Sequence, residues 1–219
     1  MIRTMAIAMA ALAAACAGGD QRPASGADTS EAHVHMGHVL TAWQDTPDQM
    51  GLFPTAQAEA EVAAQHAGFA ASRPDDLDWM KMHVGHVLHA IDPSIEPQGP
   101  GLGYGAHRAA QGVAQHVGFA ADAEDASDNV KLHATHVATS AGNVVVWSEQ
   151  VMELGQRVRT ASNAAEAAPL VLEIETLTEA ILAGTDTNGD GTVSWEESEG
   201  GLAQAAQHMR FMQEGEGMA

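Results

Sequence analysis

His83-Val84-Gly85-His86-Val87-Leu88 is one of three related stretches in this chain, each of which places two histidines three residues apart. The others are His35-Met36-Gly37-His38-Val39-Leu40 and His133-Ala134-Thr135-His136-Val137-Ala138. A second unit recurs between them, as Ala64-Gln65-His66-Ala67-Gly68-Phe69 and Ala114-Gln115-His116-Val117-Gly118-Phe119. The offsets 133 − 83 and 116 − 66 both equal 50, and 83 − 35 equals 48. This period predicts stacked units, each of them a pair of helices.

The composition favours helices and excludes one class of partner. Hydrophobic residues make up 45% of the chain but aromatic residues only 4%, so alanine, valine, leucine and methionine must form the core. That mixture favours helix over sheet. The net charge is −20, whereas phosphate binding requires a basic face, so no nucleic-acid partner is expected. An acidic surface suits cation capture.

We therefore predict an all-α protein, an up-and-down helical bundle built from repeated helix pairs. The bundle is expected over residues 31–160, with helices at about 31–43, 56–72, 77–91, 106–122 and 127–160. Ser30 and Thr55 are the predicted N-caps of the first two helices. Proline and glycine interrupt the connections, for example at Pro54 and Pro93. Residues 161–219 form a separate C-terminal segment.

The histidines are predicted to share one level of such a bundle. In an antiparallel pair, residues equidistant from the turn lie at the same height. The midpoint of 66 and 83 is 74.5, in the turn at Pro74, and the midpoint of 116 and 133 is 124.5, in the turn at Glu124. Histidines three residues apart lie on one helical face. The predicted layer contains His35, His38, His66, His83, His86, His116, His133 and His136.

A transition metal is the predicted ligand of this layer. Buried imidazoles without partners each cost about 1–3 kcal/mol, and a metal would satisfy several of them together. Each repeat offers a three-histidine group, with His66 beside the His83/His86 pair and His116 beside the His133/His136 pair. Imidazole ligands without thiolate favour copper or zinc, and leave non-haem iron or a b-type haem as alternatives. A hydrogen-bonded structural layer or surface histidines are the other interpretations.

Four histidines have no counterpart in the repeat and are predicted to be surface or outer-shell residues. They are His33, His89, His107 and His208.

The C-terminal segment contains the most specific motif, Asp186-Thr187-Asn188-Gly189-Asp190-Gly191-Thr192-Val193-Ser194-Trp195-Glu196-Glu197. It resembles the calcium loop of the EF-hand family over all twelve positions. The resemblance implies a helix-loop-helix in residues 161–219. EF-hand loops usually occur in pairs, so this unpaired loop is expected either to pair across a homodimer or to form a single, weaker site. The resemblance also implies calcium ligation by Asp186, Asn188, Asp190, the carbonyl of Thr192, Ser194 and Glu197.

The N-terminus predicts export. Residues 5–15 form an apolar run that is too short to span a bilayer, and it follows a start that carries Arg3. Ala13-Ala14-Ala15-Cys16 resembles a bacterial lipoprotein cleavage box, although Leu12 lies four residues before the cysteine instead of three. Residues 1–17 are thus a predicted signal peptide and 18–30 a flexible tether, with Cys16 lipidated. Cleavage after Ala17 would instead give a secreted soluble protein.

Together these features predict a calcium-binding exported protein, periplasmic or anchored to the outer membrane. Its histidine-lined bundle is expected to hold or deliver transition metal in the envelope. One alternative is a redox or electron-transfer protein that uses histidine-ligated copper, iron or b-type haem. The other is a calcium-stabilised structural or interaction module with no transition metal. No residue pattern identifies a catalytic group, so an enzyme is not favoured.

Overall fold

A computed structural model describes residues 30–218, and this part of the chain folds as an all-α bundle without any strand. The predicted export signal, Cys16 and nearly all of the predicted tether lie outside the described residues. A short 3₁₀ turn covers Pro47–Gln49. The α-helices are α1 (Glu31–Leu40), α2 (Leu52–Ala71), α3 (Leu77–Ile91), α4 (Ala106–Asp122), α5 (Asp128–Thr160), α6 (Ala164–Ala183) and α7 (Leu202–Gly215).

Side-chain capping sets the starts of several helices. The side chains of Ser30, Asp76 and Ser127 accept hydrogen bonds from backbone N–H groups three residues ahead, which fixes the first turns of α1, α3 and α5. The predicted start of α2 was wrong, because this helix begins at Leu52 and Thr55 lies inside it. Pro54 falls in the first turn, where helix geometry needs no N–H donor, so it does not break the helix.

The helices do not pack simply in chain order. Helix α5 is central and contacts α3, α4, α6 and α7. Helices α2 and α3 form a hairpin through the short turn at 72–76. Helix α1, however, lies mainly along α4 and only slightly against α2. This arrangement decides which histidines meet.

Alanine side chains form the surfaces at which neighbouring helices contact one another. Ala56, Ala60, Ala63, Ala67 and Ala70 follow one face of α2, and all are fully buried. Small side chains at this spacing let neighbouring backbones come close and leave little room for movement. This close approach of the helices decides which side chains along their edges meet.

The C-terminal helices join the same bundle. Helix α6 packs against α5 and α2, and α7 packs against α5. Within residues 30–218, none of the helices combines the length and apolar character that a bilayer crossing requires.

Candidate metal centre

Nine histidines meet in three separate groups of three. In each group, a His-x-x-His pair on one helix faces a single histidine on a neighbouring helix. Each histidine offers one ring nitrogen, and the three nitrogens lie within 4.8 Å of one another. The groups are the α1–α4 triad (His35, His38, His116), the α2–α3 triad (His66, His83, His86) and the α5–α7 triad (His133, His136, His208).

The Nδ1 atoms of each triad converge on the single histidine. In the α1–α4 triad, Nδ1 of His116 lies 3.1 Å from Nδ1 of His35 and 3.4 Å from Nδ1 of His38. In the α2–α3 triad, Nδ1 of His66 lies 2.8 Å from that of His83 and 3.2 Å from that of His86. The corresponding α5–α7 distances from His208 are 3.0 Å to His133 and 3.2 Å to His136.

These separations suit three nitrogens around one metal ion. Zinc–imidazole bonds of about 2.0–2.1 Å at tetrahedral angles place the nitrogens about 3.3–3.4 Å apart. Hydrogen bonding alone satisfies a triad poorly, because the central Nδ1 carries either one proton or one lone pair and faces two other nitrogens. A cation at the centre accepts all three lone pairs.

Burial keeps most of these imidazoles neutral. It is the main cause that lowers the pKa of His66 to about 4, with a further contribution from the charges of His86 and His83. Burial, and then the charges of His136 and His133, likewise lowers the pKa of His208 to about 4. Burial is also the main cause of lowered pKa values at His38, His83, His116 and His136. At neutral pH protons therefore compete little with a metal ion for the nitrogens of these six rings.

Aromatic rings surround the triads in a chain that has few of them. Three of the four phenylalanines and three of the four tryptophans pack against triad imidazoles. Each single histidine is followed three residues later by phenylalanine, so both rings lie on the same helix face. These pairs are His66 and Phe69, His116 and Phe119, and His208 and Phe211.

The sequence predicted which histidines cluster better than how they group. The expected group of His66, His83 and His86 is present. The pairing of His116 with His133 and His136 was wrong, because α1 packs along α4 and brings His35 and His38 to His116 instead. The predicted single layer of eight histidines is thus divided among three triads.

His208 was wrongly predicted to be a surface or outer-shell residue. It is half-buried and supplies the single histidine of the α5–α7 triad. The signal that could have found it is His208-Met209-Arg210-Phe211, which repeats the His-x-x-Phe spacing of residues 66–69 and 116–119. Its separation from the 50-residue repeats hid this relationship.

The other three histidines lie outside the triads and have different partners. His33 Nε2 is 2.9 Å from a carboxylate oxygen of Glu216. His89 is buried, with Nδ1 2.7 Å from the carbonyl oxygen of Glu96. His107 is half-buried, with Nε2 3.6 Å from Glu149.

The loop at 186–197 connects α6 to α7 and is organised around Asp186. One carboxylate oxygen of Asp186 accepts hydrogen bonds from the backbone N–H groups of Gly189 and Asp190, at 2.7 and 3.1 Å. The other accepts from Gly191 N–H at 2.9 Å. Asn188 and Asp190 also accept backbone hydrogen bonds within the loop. No trio of acidic side chains in residues 30–218 converges as tightly as the histidine triads do.

Glu199, which lies two residues after this loop, packs against it. Its buried carboxylate accepts hydrogen bonds from the backbone N–H groups of Asn188 and Ser194, at 3.3 and 3.1 Å. Glu197, the predicted bidentate ligand, is exposed. Residues 195–199 form turns instead of a helix, and α7 starts only at Leu202.

Comparison with known proteins finds no relative of this chain. The chain matches no family model, no curated protein and no solved structure.

Proposed function

We propose that this protein holds transition-metal ions, one on each of its three histidine triads. The observation that carries the proposal is the convergence of three Nδ1 atoms at three places in one chain. Because the triads consist of histidine alone, copper or zinc fits them better than magnesium or calcium, which require oxygen ligands. Non-haem iron fits less well, since its common facial triad includes a carboxylate.

The geometry also argues against a b-type haem. Two axial imidazoles must approach the iron from opposite faces of the porphyrin. In each triad the nitrogens instead point at one another across 2.8–3.4 Å, which leaves no space for a ring between them. Three similar sites within one chain suit holding or delivery of metal more than a single redox centre.

Location in the cell envelope is part of this proposal and is supported by the sequence of residues 1–17 and by Cys16. Retention in the envelope would place the triads where external metal arrives. Recovery from the membrane fraction is the expected result for a chain anchored at Cys16, and recovery from the soluble fraction alone would contradict the anchor.

Metal stoichiometry tests the proposed function. Tag-free full-length protein is expected to retain three copper or zinc ions per chain after dialysis, because each triad is an independent ligand set. Elemental analysis and a protein assay on the same sample measure this ratio. The matched control replaces the three central histidines with alanine (His66, His116 and His208), and it should retain none. A wild-type chain without copper or zinc, after both have been offered, would contradict the proposal.

We further propose that the 186–197 loop binds calcium, as its resemblance to EF-hand loops implies. Its contacts suggest that calcium stabilises the α5–α7 triad. Trp195 of the loop stacks on His136 with ring centroids 3.9 Å apart, and Asn143 of α5 donates hydrogen bonds to the carbonyl oxygens of Glu196 and Gly200. The loop also leads directly into α7, which carries His208.

Calcium is expected to raise the unfolding temperature of the full-length protein, since an ion bound only by the folded state stabilises that state. Asp186→Ala should abolish this increase, because Asp186 organises the loop. Asp75→Ala is the matched control, since Asp75 is an exposed acidic residue in the turn between α2 and α3. Thermal unfolding with calcium and with a chelator measures the effect. An unchanged wild-type unfolding temperature would refute the stabilising role.

A further inference from the structure

We propose that the triads select monovalent copper, Cu⁺, held by three imidazoles beside aromatic rings. This inference rests on the proposed function, since it names the ion that the same sites bind. It depends on two features of the triads, namely the absence of charge among the ligands and the composition of the surrounding side chains.

The ligand set favours a singly charged ion. Three neutral imidazoles leave the whole charge of the metal uncompensated by its ligands, and no carboxylate or cysteine joins any triad in the described residues. The desolvation free energy of an ion rises with the square of its charge. It is therefore about four times larger for a divalent ion than for a monovalent ion of the same size. Zinc sites commonly reduce this cost with thiolate or carboxylate ligands, or add a water as the fourth ligand.

Two aromatic rings, those of Trp43 and Phe119, lie beside the α1–α4 triad. The indole of Trp43 lies 4.6 Å from the His116 ring and 4.9 Å from the His38 ring, measured between centroids. The phenyl ring of Phe119 lies 5.7 Å from His116 and 5.2 Å from His35. These apolar rings limit hydration of the site, and their electron-rich faces attract cations.

The other two triads have the same composition. In the α2–α3 triad, Trp79 lies 4.3 Å from His83, and Phe69 lies 5.3 Å from both His66 and His83. In the α5–α7 triad, Trp195 stacks on His136, and Phe211 lies 5.3 Å from His133.

The tryptophans reach the triads from unrelated positions in the chain. Trp43 follows α1, Trp79 lies in the first turn of α3, and Trp195 belongs to the loop before α7. The 50-residue repeat therefore does not account for an indole at every triad. The presence of an indole at all three triads, despite these unrelated positions, indicates that the site itself requires an aromatic neighbour. An indole near a soft, singly charged ion supplies attraction without a fourth bond to the metal.

Competition between copper and zinc tests the inference. Under anaerobic conditions, the full-length protein is expected to take up three Cu⁺ ions from a bicinchoninate complex and retain them against an excess of zinc of about 100-fold. Displacement of Cu⁺ by zinc, or binding of divalent ions alone, would overturn the inference and leave the proposed metal-holding function in place. Failure to bind either metal would overturn the proposed function itself.

A pair of variants tests the role of the indole. In a background with His66→Ala and His208→Ala, only the α1–α4 triad remains intact. Trp43→Leu is expected to lower the ratio of Cu⁺ to zinc affinity about tenfold, because it removes the aromatic face and keeps an apolar side chain. Trp43→Phe retains an aromatic ring and should lower the ratio much less. An unchanged ratio in Trp43→Leu would show that the indole does not contribute to selection.

Discussion

His116→Ala is expected to lower the metal content from three ions per chain to two. Nδ1 of His116 is the point on which the α1–α4 triad converges, at 3.1 Å from His35 and 3.4 Å from His38. Without His116 the remaining two imidazoles lie on one helix and offer no ligand from the opposite side. Two ligands hold a metal much less tightly than three in a fixed arrangement.

The loss of affinity at this triad should exceed about 100-fold, because substitution of an outer-shell partner alone typically costs 10–100-fold. The other two triads are expected to keep their ions, since they share no ligand with the first. Titration with a chromophoric chelator measures the affinity of each class of site, and elemental analysis measures the number of ions.

His107→Ala is the matched control for His116→Ala. Both residues lie in α4, but His107 belongs to no triad and faces Glu149. The control should retain three ions per chain. Three tightly bound ions in His116→Ala would exclude the α1–α4 triad as a site. Loss of all three would point to a general defect in folding, which circular dichroism of the same sample would reveal.

The helices were predictable because their signals are local. The bounds 77–91 and 106–122, and an end near residue 160 for the long helix, agree with α3, α4 and α5. Those helices start at clear turn residues, and Asp76 and Ser127 act as caps. The first helix ends at Leu40, three residues earlier than predicted. The larger difference is at α2, where Pro54 was interpreted as a helix breaker but lies in a first turn that tolerates it.

The grouping of histidines was less predictable because it depends on long-range packing. The prediction assumed that consecutive helices are neighbours and bring their histidines together, which holds for α2 and α3 through the short turn at 72–76. Helices α4 and α5 are also neighbours, but His133 and His136 meet His208 of α7 instead of His116. Helix α1 lies along α4 and so brings His35 and His38 to His116. Alanine-rich helix faces resemble one another in sequence, so their pattern does not specify which two faces meet.

Glu59→Ala is expected to cause the largest loss of stability among single substitutions outside the triads. The Glu59 side chain is fully buried in α2. Its carboxylate accepts hydrogen bonds from the backbone N–H groups of Leu102, Tyr104 and Gly105, at 3.1, 2.8 and 3.0 Å. These bonds fix the end of the connection between α3 and α4. The backbone of Gly101, with φ of +123°, lies so close to Glu59 that a Cβ atom at this position would collide with the Glu59 carboxylate.

Removal of the carboxylate leaves three backbone donors without their acceptor. Hydrogen bonds to a charged group contribute about 1.5–3 kcal/mol each, and solvent near the exposed part of the loop recovers some of the loss. The free energy of unfolding should therefore fall by about 3–5 kcal/mol. Glu59→Gln should cost less, because its remaining oxygen still accepts from Tyr104 and Gly105 while its amide opposes the Leu102 N–H. Denaturant unfolding of the metal-free protein measures both variants.

Glu61→Ala provides the matched control, because Glu61 lies two residues further along the same helix but is exposed. Its side chain accepts a hydrogen bond only from Gln57 among the described residues, at 3.1 Å, and its loss should change stability by less than about 0.5 kcal/mol. Gly105 is the N-cap residue of α4, the helix that carries His116. Glu59→Ala should therefore also weaken metal binding at the α1–α4 triad more than at the α5–α7 triad. Equal stability of Glu59→Ala and Glu61→Ala would show that the buried carboxylate does not anchor this connection.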